Sequence, residues 1–302
     1  MKRNTGKLLS LLLVMITAFL LAACSSQQTK AYDPDKKLGP QLNYTVTGID
    51  ASSGEMGKAK KMLTAYGLKE KNWQLMPSST AAMVSTLGKA IKNKEPIVVT
   101  AFQPHWMFAK YDMKWLKDPK NIFGKTQHFS TVARNGLQKD NPGAYKLLQN
   151  FHWTISDSYS TMLKINGGMK SDKAAKQYIK SHPKKVNEIL QDVPAGHGQK
   201  IKLVYTPYDY ERAVTYVVKN LLVQKGYQAT TQQLDVSIMW QALASKKVDA
   251  TMVAQLPVSH AAYAKKYRGQ VDEVRINLPH ARIGLAVPTY MKDVNSIEDL
   301  KK

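Results

Sequence analysis

The pattern of apolar and polar positions predicts a first block of alternating strands and helices. Residues 42–49 and 96–102 have the β-branched and apolar composition of strands, whereas 55–66 and 79–93 have helical periodicity. Ser78 or Ser79 suits the N-cap of the second helix. Because strands that alternate with helices usually lie in parallel sheets, we expect parallel sheets with right-handed crossovers.

The middle of the chain has helical periodicity, and a second α/β block follows it. The predicted helices of the middle are 141–149, 157–165, 172–181 and 184–191. The second block comprises a strand at 201–206, a helix at 209–223, a strand at 227–234, a helix at 236–246, strands at 249–255 and 282–288, and a helix that begins at 296–300. Each block has a buried strand that leads into a Pro-His segment, at Pro104-His105 and at Pro257 to His260. Since ligands bind beyond the carboxyl ends of such strands, we expect two lobes with both segments beside one cleft.

The N-terminal residues have the pattern of a secretory signal peptide. A basic stretch precedes an apolar run over 8–23, which is shorter than the roughly 20 residues that span a bilayer. The run leads into Leu21-Ala22-Ala23-Cys24, which holds the only cysteine of the chain and resembles the bacterial lipobox. This implies cleavage after residue 23 and a lipid on Cys24 at the extracytoplasmic face of the membrane, with 24–40 as a tether and 41–302 as the folded unit. An ordinary signal peptide with an incidental cysteine is the alternative.

Composition and charge narrow the possible functions. The 302 residues suffice for two lobes, and 43% apolar with 22% charged residues argue against disorder. Lys and Arg exceed Asp and Glu by 44 to 22, which suits anionic lipid headgroups or wall polymers. The lysines do not interleave with aromatic residues along one element, so we expect no nucleic-acid partner. A basic envelope adhesion or wall-polymer-binding lipoprotein is one function that this charge favours.

No motif in the sequence supports catalysis, a cofactor or a metal. The chain lacks a glycine-rich phosphate loop, a Gly-x-Ser-x-Gly elbow and a His-Glu-x-x-His motif, and none of its histidine pairs has helical spacing for a metal. Asp209 and Glu211 are two carboxylates at a helix start, which N-terminal capping explains. We therefore expect no enzyme activity, and an extracellular hydrolase is only a third hypothesis.

Two polar features could bind a ligand. The loop from Asp50 to Gly54 leads into a helix, whose free N–H groups and dipole favour an anion; an ordinary capped helix start is the alternative. His260 follows Pro257 by three residues, where it could donate a hydrogen bond to a carboxylate. A structural histidine is the alternative there, and the same ambiguity holds for His105.

Aromatic residues at the predicted strand ends are the third feature. They are Phe102, Trp106, Tyr205, Tyr208 and Tyr210. Ring faces can surround a quaternary ammonium group by cation–π attraction, whereas the alternative is core packing, which we favour for Tyr205 and Trp240. Tyr208 follows a proline in a loop, where core burial is less expected.

Several segments, in one order along the chain, are similar to those of a transport family. They are Gly48-Ile49-Asp50-Ala51-Ser52-Ser53-Gly54, Ser78-Ser79-Thr80-Ala81-Ala82-Met83, Pro104-His105-Trp106-Met107-Phe108, Leu116-Lys117-Asp118-Pro119-Lys120, Leu256-Pro257-Val258-Ser259-His260 and Asn295-Ser296-Ile297-Glu298-Asp299-Leu300. From about residue 40 to 302, the chain resembles the OpuAC-type glycine betaine-binding lipoproteins, the substrate-binding proteins of osmoprotectant ABC importers.

The resemblance implies a two-lobed α/β fold of the periplasmic-binding-protein-like type II class, circularly permuted relative to other betaine-binding proteins. Lobe I would comprise about 41–103 and 256–302, and lobe II about 104–255. The implied partners are a quaternary ammonium ligand, a membrane permease and its ATPase subunit. The protein would be monomeric in solution and joined to the membrane through the lipid on Cys24.

The resemblance also implies where a ligand carboxylate would bind. In the family, two backbone amides at the helix start and one histidine hold it, and the matching positions are Gly54, Glu55 and His260. The carboxylate subsite is therefore expected to be kept.

The family's cage for the trimethylammonium group carries over only in altered form. Phe102, Tyr208 and Gln255 stand where the family has three tryptophans, and each replacement should weaken the cation–π attraction by about 0.5–1 kcal/mol or more. Tyr210, where the family usually has a smaller residue, is a candidate substitute wall. We expect glycine betaine or a related compound such as carnitine, proline betaine or choline, although choline lacks a carboxylate.

Overall fold

The computed structural model describes residues 31–51, 53–124 and 126–302 of the chain. The predicted signal peptide and the predicted lipidation site at Cys24 lie outside the described residues. The strands are β1 (Thr45–Thr47), β2 (Gln74–Met76), β3 (Val99–Gln103), β4 (Met113–Trp115), β5 (Gln127–Arg134), β6 (Lys200–Tyr205), β7 (Gln228–Gln233), β8 (Ala250–Leu256) and β9 (Val271–Pro288).

Each helix predicted before residue 296 is present, and its ends lie within two residues of the predicted ones. They are α1 (Leu38–Gln41), α2 (Gly54–Ala65), α3 (Thr80–Asn93), α4 (Met107–Lys110), α5 (Leu137–Asp140), α6 (Pro142–Asn150), α7 (Ile155–Asn166), α8 (Ser171–Ser181), α9 (Pro183–Leu190), α10 (Asp209–Gln224), α11 (Val236–Ala244) and α12 (Ala261–Lys266). The three short helices α1, α4 and α5, and α12, were not predicted. The predicted C-terminal helix is a 3₁₀ helix over Ile297–Lys301. In the described part of the chain, none of these helices combines the length and the apolar character needed to cross a bilayer.

The strands of the described residues form one mixed sheet in the order β2-β1-β3-β9-β5-β8-β6-β7, and β4 also pairs with β9. β1 is parallel to β2 and β3 at one end, and β6 is parallel to β7 and β8 at the other. The predicted α/β class is confirmed. The expectation of wholly parallel sheets is wrong, because β9 and β5 run antiparallel to their neighbours.

Strand β9 connects the two ends of the sheet. Residues 271–281 pair with β5, whereas 282–288 pair with β3 and β4. We call β1–β4 with residues 282–288 the first half, and β5–β8 with residues 271–281 the second half. The sequence predicted only 282–288 as a strand, because several of the preceding residues are charged, as at Asp272, Glu273 and Arg275.

Two strand segments pair across the predicted lobe limits. Residues 113–115, expected in lobe II, pair with residues 286–288, and residues 271–281, expected in lobe I, pair with β5. The lobe limits themselves stay a prediction.

Two amphipathic helices pack against the sheet through buried apolar faces. Helix α10 buries one apolar face, formed by Val214, Val217, Val218, Leu221 and Leu222. Helix α3 buries Met83, Val84 and Leu87, and its N-cap is Ser79, whose hydroxyl accepts from the Ala82 N–H at 3.1 Å. Each such side chain contributes about 1.5–3 kcal/mol when fully buried, so these faces hold the sheet and its loops in one arrangement.

Candidate functional site

A cavity of about 590 Å³ lies between the two halves, at the ends of β3, β6 and β8. Its lining includes every ligand-binding candidate of the sequence analysis: Gly54, Glu55, Phe102, Tyr208, Tyr210, Gln255 and His260. The volume lies within the range of about 300–1,000 Å³ that is typical of small-molecule sites. The structure thus brings the candidates together, and their role in ligand binding stays a prediction.

Both halves contribute to this cavity. Gly54 and Glu55 follow β1 and Phe102 lies in β3, whereas Tyr208 follows β6 and His260 follows β8. A ligand in the cavity would therefore contact both halves at once. Such a ligand stabilises an arrangement in which the halves are closed on each other.

The start of helix α2 forms one end of the cavity. Ser53 caps the helix, since its hydroxyl accepts from the Met56 N–H at 3.2 Å. The first N–H groups of a helix have no intrahelical acceptor, and the helix dipole is positive there. A Cβ added at Gly54 would meet no described atom within 4 Å, which leaves room for a ligand against the backbone. The capped helix start and the anion site are thus compatible interpretations.

His260 lines the cavity in a single protonation state. Its Nδ1 accepts from the Gln255 N–H at 3.1 Å and from the Trp240 indole N–H at 3.4 Å. Because Nδ1 accepts, the ring proton lies on Nε2, which makes Nε2 a donor. Burial lowers the pKa of His260 to about 4, so the ring is neutral at physiological pH. The histidine is both structurally anchored and able to donate a hydrogen bond.

His105, its counterpart after β3, has a structural role. It is buried, and its Nδ1 accepts from the Met107 N–H at 3.1 Å. It lies outside the cavity lining formed by the described residues, as does Trp106, whose indole donates to Asp209 at 3.0 Å. The structural interpretation therefore holds for His105. Core packing of Tyr205 and Trp240 is also confirmed.

Glu55 carries a buried carboxyl group that sequence reasoning overlooked, because only its backbone amide was considered. The residue is 5% exposed and lines the cavity. Burial raises the pKa of the carboxyl group to about 8, and a hydrogen bond from the Ala101 backbone offsets this only in part. Oε1 has no hydrogen-bond partner among the described residues.

Glu211 is the second buried carboxyl group of the lining, at 1% exposed. Its Oε2 accepts from the Thr206 N–H at 2.9 Å and from the Thr206 hydroxyl, and its Oε1 accepts from the Gln255 amide at 3.2 Å. Burial raises its pKa to about 7, against the lowering effect of these bonds. The sequence interpretation of Glu211 as a capping residue is wrong, because the side chain folds back onto the end of β6 inside the cavity.

The aromatic residues that line the cavity are partly those expected, but they also include Phe129. The ring centroids of Phe102 and Tyr208 are 6.4 Å apart with an interplanar angle of 69°. Gln255 supplies no ring and donates to Glu211, but Phe129 pairs with it across β5 and β8 and also lines the cavity. The Tyr210 ring contacts the Phe129 ring, with centroids 4.5 Å apart and an interplanar angle of 49°. Phe129 was missed because β5 was not predicted as a strand.

The cavity is acidic, although the chain as a whole is strongly basic. The charged side chains of the described lining are Glu55, Glu211, Asp235 and Arg282. Burial raises the pKa of Tyr208, and the negative charges of Glu211, Asp50, Glu55 and Asp235 raise it further. The surroundings of the Tyr208 hydroxyl thus favour a cation. The described residues contain no cluster of three or more side chains that could hold a metal ion.

Comparison with known proteins identifies the family. A family model described as the substrate-binding domain of an ABC-type glycine betaine transport system matches residues 26–181 and 199–302. The glycine betaine/carnitine transport binding protein GbuC of Listeria monocytogenes is 45% identical over 295 residues, which cover 98% of each chain. Neither match supports the adhesion alternative.

Solved structures are also similar to the chain. A lactococcal OpuAC, in its closed conformation with glycine betaine, is 40% identical, with a TM-score of 0.44 over 55% of this chain and 64% of that one. A glycine/betaine/L-proline-binding protein from Borrelia burgdorferi is 28% identical, with a TM-score of 0.42 over 55% of this chain and 61% of that one. From the family match and the whole-length relative, we conclude that the chain belongs to the OpuAC family of substrate-binding domains of ABC-type glycine betaine transport systems.

Proposed function

We propose that the protein captures glycine betaine or a related quaternary ammonium compound outside the cytoplasm and delivers it to the permease of an ABC importer for osmoprotection. The observation that carries this proposal is the cavity between the halves. Its lining combines ring faces, buried carboxyl groups, a helix start and a neutral histidine.

The cation end is formed by Phe102, Tyr208 and Phe129, with Glu211 behind them. A quaternary ammonium group has no N–H to donate and cannot lose its charge. It therefore requires ring faces and a negative field. Glu211 supplies that field, and its hydrogen bonds to Thr206 and Gln255 fix its position.

The opposite end fits a carboxylate. The proposed donors are the N–H groups of Gly54 and Glu55 at the start of α2, which follows β1, and the Nε2–H of His260, which follows β8. A zwitterion spanning the cavity would bridge the halves, and hinge closure around it needs no covalent chemistry. We therefore propose a transport receptor without enzyme activity, cofactor or metal.

The wider setting is part of the same proposal. The lipid on Cys24 holds the protein at the extracytoplasmic face, and residues 24–40 give it reach toward the permease and its ATPase subunit. The receptor acts as a monomer. Replacing Cys24 with Ser should release the protein from the membrane fraction, and unchanged membrane retention of Cys24→Ser would refute the anchor.

The ligand is tested by calorimetric titration with paired compounds of the same shape. Glycine betaine is compared with 3,3-dimethylbutanoate, in which carbon replaces the charged nitrogen, and choline with 3,3-dimethylbutan-1-ol. Carnitine and proline betaine complete the panel. We expect at least one quaternary ammonium compound to bind below millimolar concentration and the uncharged-headgroup partner to bind at least about tenfold more weakly. Equal binding of both partners, or no binding at all, would refute the proposal.

A further inference from the structure

The carboxyl group of Glu55 is a buried polar group of the cavity lining that has no role in the proposed function. It lies in the first turn of the 12-residue helix α2, next to Gly54, whose N–H is a proposed donor to the ligand carboxylate. The side chain is 5% exposed, and Oε1 has no partner among the described residues. A buried oxygen of this kind destabilises the folded protein unless something else satisfies it.

The geometry indicates what satisfies it. The backbone of Ala101 donates to the carboxyl group, while Oε1 remains without a partner in a residue that lines the cavity. An ionised Glu55 would place a negative charge beside the subsite proposed for the ligand carboxylate, where like charges repel. A protonated Glu55 would instead be a donor, and a ligand oxygen would be its acceptor.

We propose that Glu55, as a neutral carboxylic acid, donates a hydrogen bond to the carboxylate of a zwitterionic ligand, so that the affinity for betaines and carnitine, but not for choline, falls in alkaline solution. This inference rests on the proposed function, since it takes that carboxylate to lie at the start of α2. It makes Glu55 a specificity-determining residue of the site.

Burial is what keeps the acid protonated. It raises the pKa of Glu55 to about 8, so the donor form predominates at pH 6.5 and is lost by pH 9. A bound carboxylate raises the pKa further, because it favours the protonated neighbour.

The other titratable and charged groups around the cavity are not expected to weaken the binding of carboxylate ligands alone between pH 6.5 and 9. They are Asp50, Tyr208, Glu211, Asp235, His260 and Arg282. His260 is neutral throughout pH 6.5–9, because burial lowers its pKa to about 4. Burial and the neighbouring carboxylates raise the pKa of Tyr208, so its hydroxyl stays protonated there. Glu211 lies near the cation rather than the carboxylate, so its ionisation favours betaine and choline alike.

The experiment measures the affinities for glycine betaine, carnitine and choline at pH 6.5 and pH 9.0, in the unaltered protein and in Glu55→Gln. In the unaltered protein we expect the affinity for the two carboxylate ligands to fall by about tenfold, with no fall for choline. Glu55→Gln keeps a side-chain donor that does not titrate, so the ratio of its betaine affinity to its choline affinity should be the same at both pH values.

Proton uptake provides a second readout. Titration of betaine at pH 8.0 in buffers of different ionisation enthalpy should show proton uptake in the unaltered protein and none in Glu55→Gln. Choline should cause no uptake in either protein. Thermal unfolding at both pH values controls for loss of folding, and Gly57→Ala, in the same helix but away from the cavity, should behave as the unaltered protein.

The possible outcomes separate the two proposals. A ratio of betaine affinity to choline affinity that is the same at both pH values, or a fall in this ratio that persists in Glu55→Gln, would overturn the role of Glu55 and leave the proposed function standing. Absence of binding by all three ligands at either pH would overturn the proposed function itself.

Discussion

The two walls of the cavity each carry one buried glutamate, and the two differ in how the carboxyl group is satisfied. Glu211, in the second half, accepts from the N–H and hydroxyl of Thr206 and from the Gln255 amide. Glu55, in the first half, has a buried Oε1 without a partner among the described residues. A carboxylate held by several donors fixes the surrounding loop, whereas an unpartnered one is left for a ligand.

The largest expected effect concerns stability. Glu211→Ala should lower the free energy of unfolding by about 2–4 kcal/mol, because it leaves the Thr206 and Gln255 donors buried without an acceptor. Glu55→Ala should cost less than half as much, since it removes a group that is itself unsatisfied. Urea unfolding of both variants measures the difference. Equal losses would show that the two carboxyl groups are not distinguished by their hydrogen bonds.

The next effect concerns affinity at the cation end. Tyr208→Ala should weaken binding of the quaternary ammonium ligand by about tenfold, because one ring face is lost. Binding of 3,3-dimethylbutanoate, which has a carbon atom in place of the charged nitrogen, should change much less, since its headgroup has no charge for the ring to attract. Tyr267→Ala, a half-buried tyrosine outside the cavity lining of the described residues, is the matched control. Parallel losses for both compounds would indicate collapse of the cavity instead.

A smaller effect concerns the pH dependence of stability. The folded-state pKa of Glu55, about 8, is above its unfolded value, so the folded protein binds the proton more tightly and stability is lost as pH rises toward 8. His105 and His260 have folded-state pKa values of about 4, below the unfolded value, so they oppose this trend only below about pH 6.5.

Between pH 7 and 8 Glu55 makes the larger contribution, because Glu211, with a pKa of about 7, is already half ionised at the start of this interval. In the ligand-free protein, the contribution of Glu55 to the free energy of unfolding should fall over this interval by up to about 1 kcal/mol. The slope should be clearly smaller in Glu55→Gln, which keeps only the contribution of Glu211, when both proteins are unfolded with urea at pH 7.0, 7.5 and 8.0. A slope of the same size in the variant would mean that another group is responsible.

The smallest effect uses two glycines of helix α2. A Cβ would meet no described atom within 4 Å at either Gly54 or Gly57, but only Gly54 lines the cavity. Gly57→Ala should stabilise the helix by about 0.5–1 kcal/mol without changing affinity. Gly54→Ala should fold normally and bind betaine several-fold more weakly, because its methyl group occupies the approach to the backbone. Unchanged affinity in Gly54→Ala would place the ligand elsewhere.

Much of the fold could be predicted because helical periodicity is a local signal. The apolar face of α10 and the Ser79 cap of α3 are examples, and both helices are where the sequence placed them. Strand β5 and residues 271–281 could not be predicted in this way, since their pairing is non-local and many of their residues are polar. The predicted lobe limits made no use of that pairing, and they stay a prediction.

The site was predictable to the extent that it lies on local motifs. The loop before α2, the end of β3 and the segment before His260 are continuous stretches, and all of them line the cavity. Phe129 was missed because it reaches the site from an unpredicted strand. The Glu55 and Glu211 side chains were missed because whether a carboxyl group at a helix start faces solvent or a cavity depends on tertiary packing.

The most direct test of the account is a crystal structure of the protein with glycine betaine or carnitine bound. The account predicts the methylated nitrogen within about 6 Å of the ring centroids of Phe102 and Tyr208. It also predicts the ligand carboxylate at about 2.7–3.2 Å from the Gly54 N–H nitrogen and from His260 Nε2. A ligand bound outside this cavity, or inside it with its methylated nitrogen at the start of α2, would contradict the account.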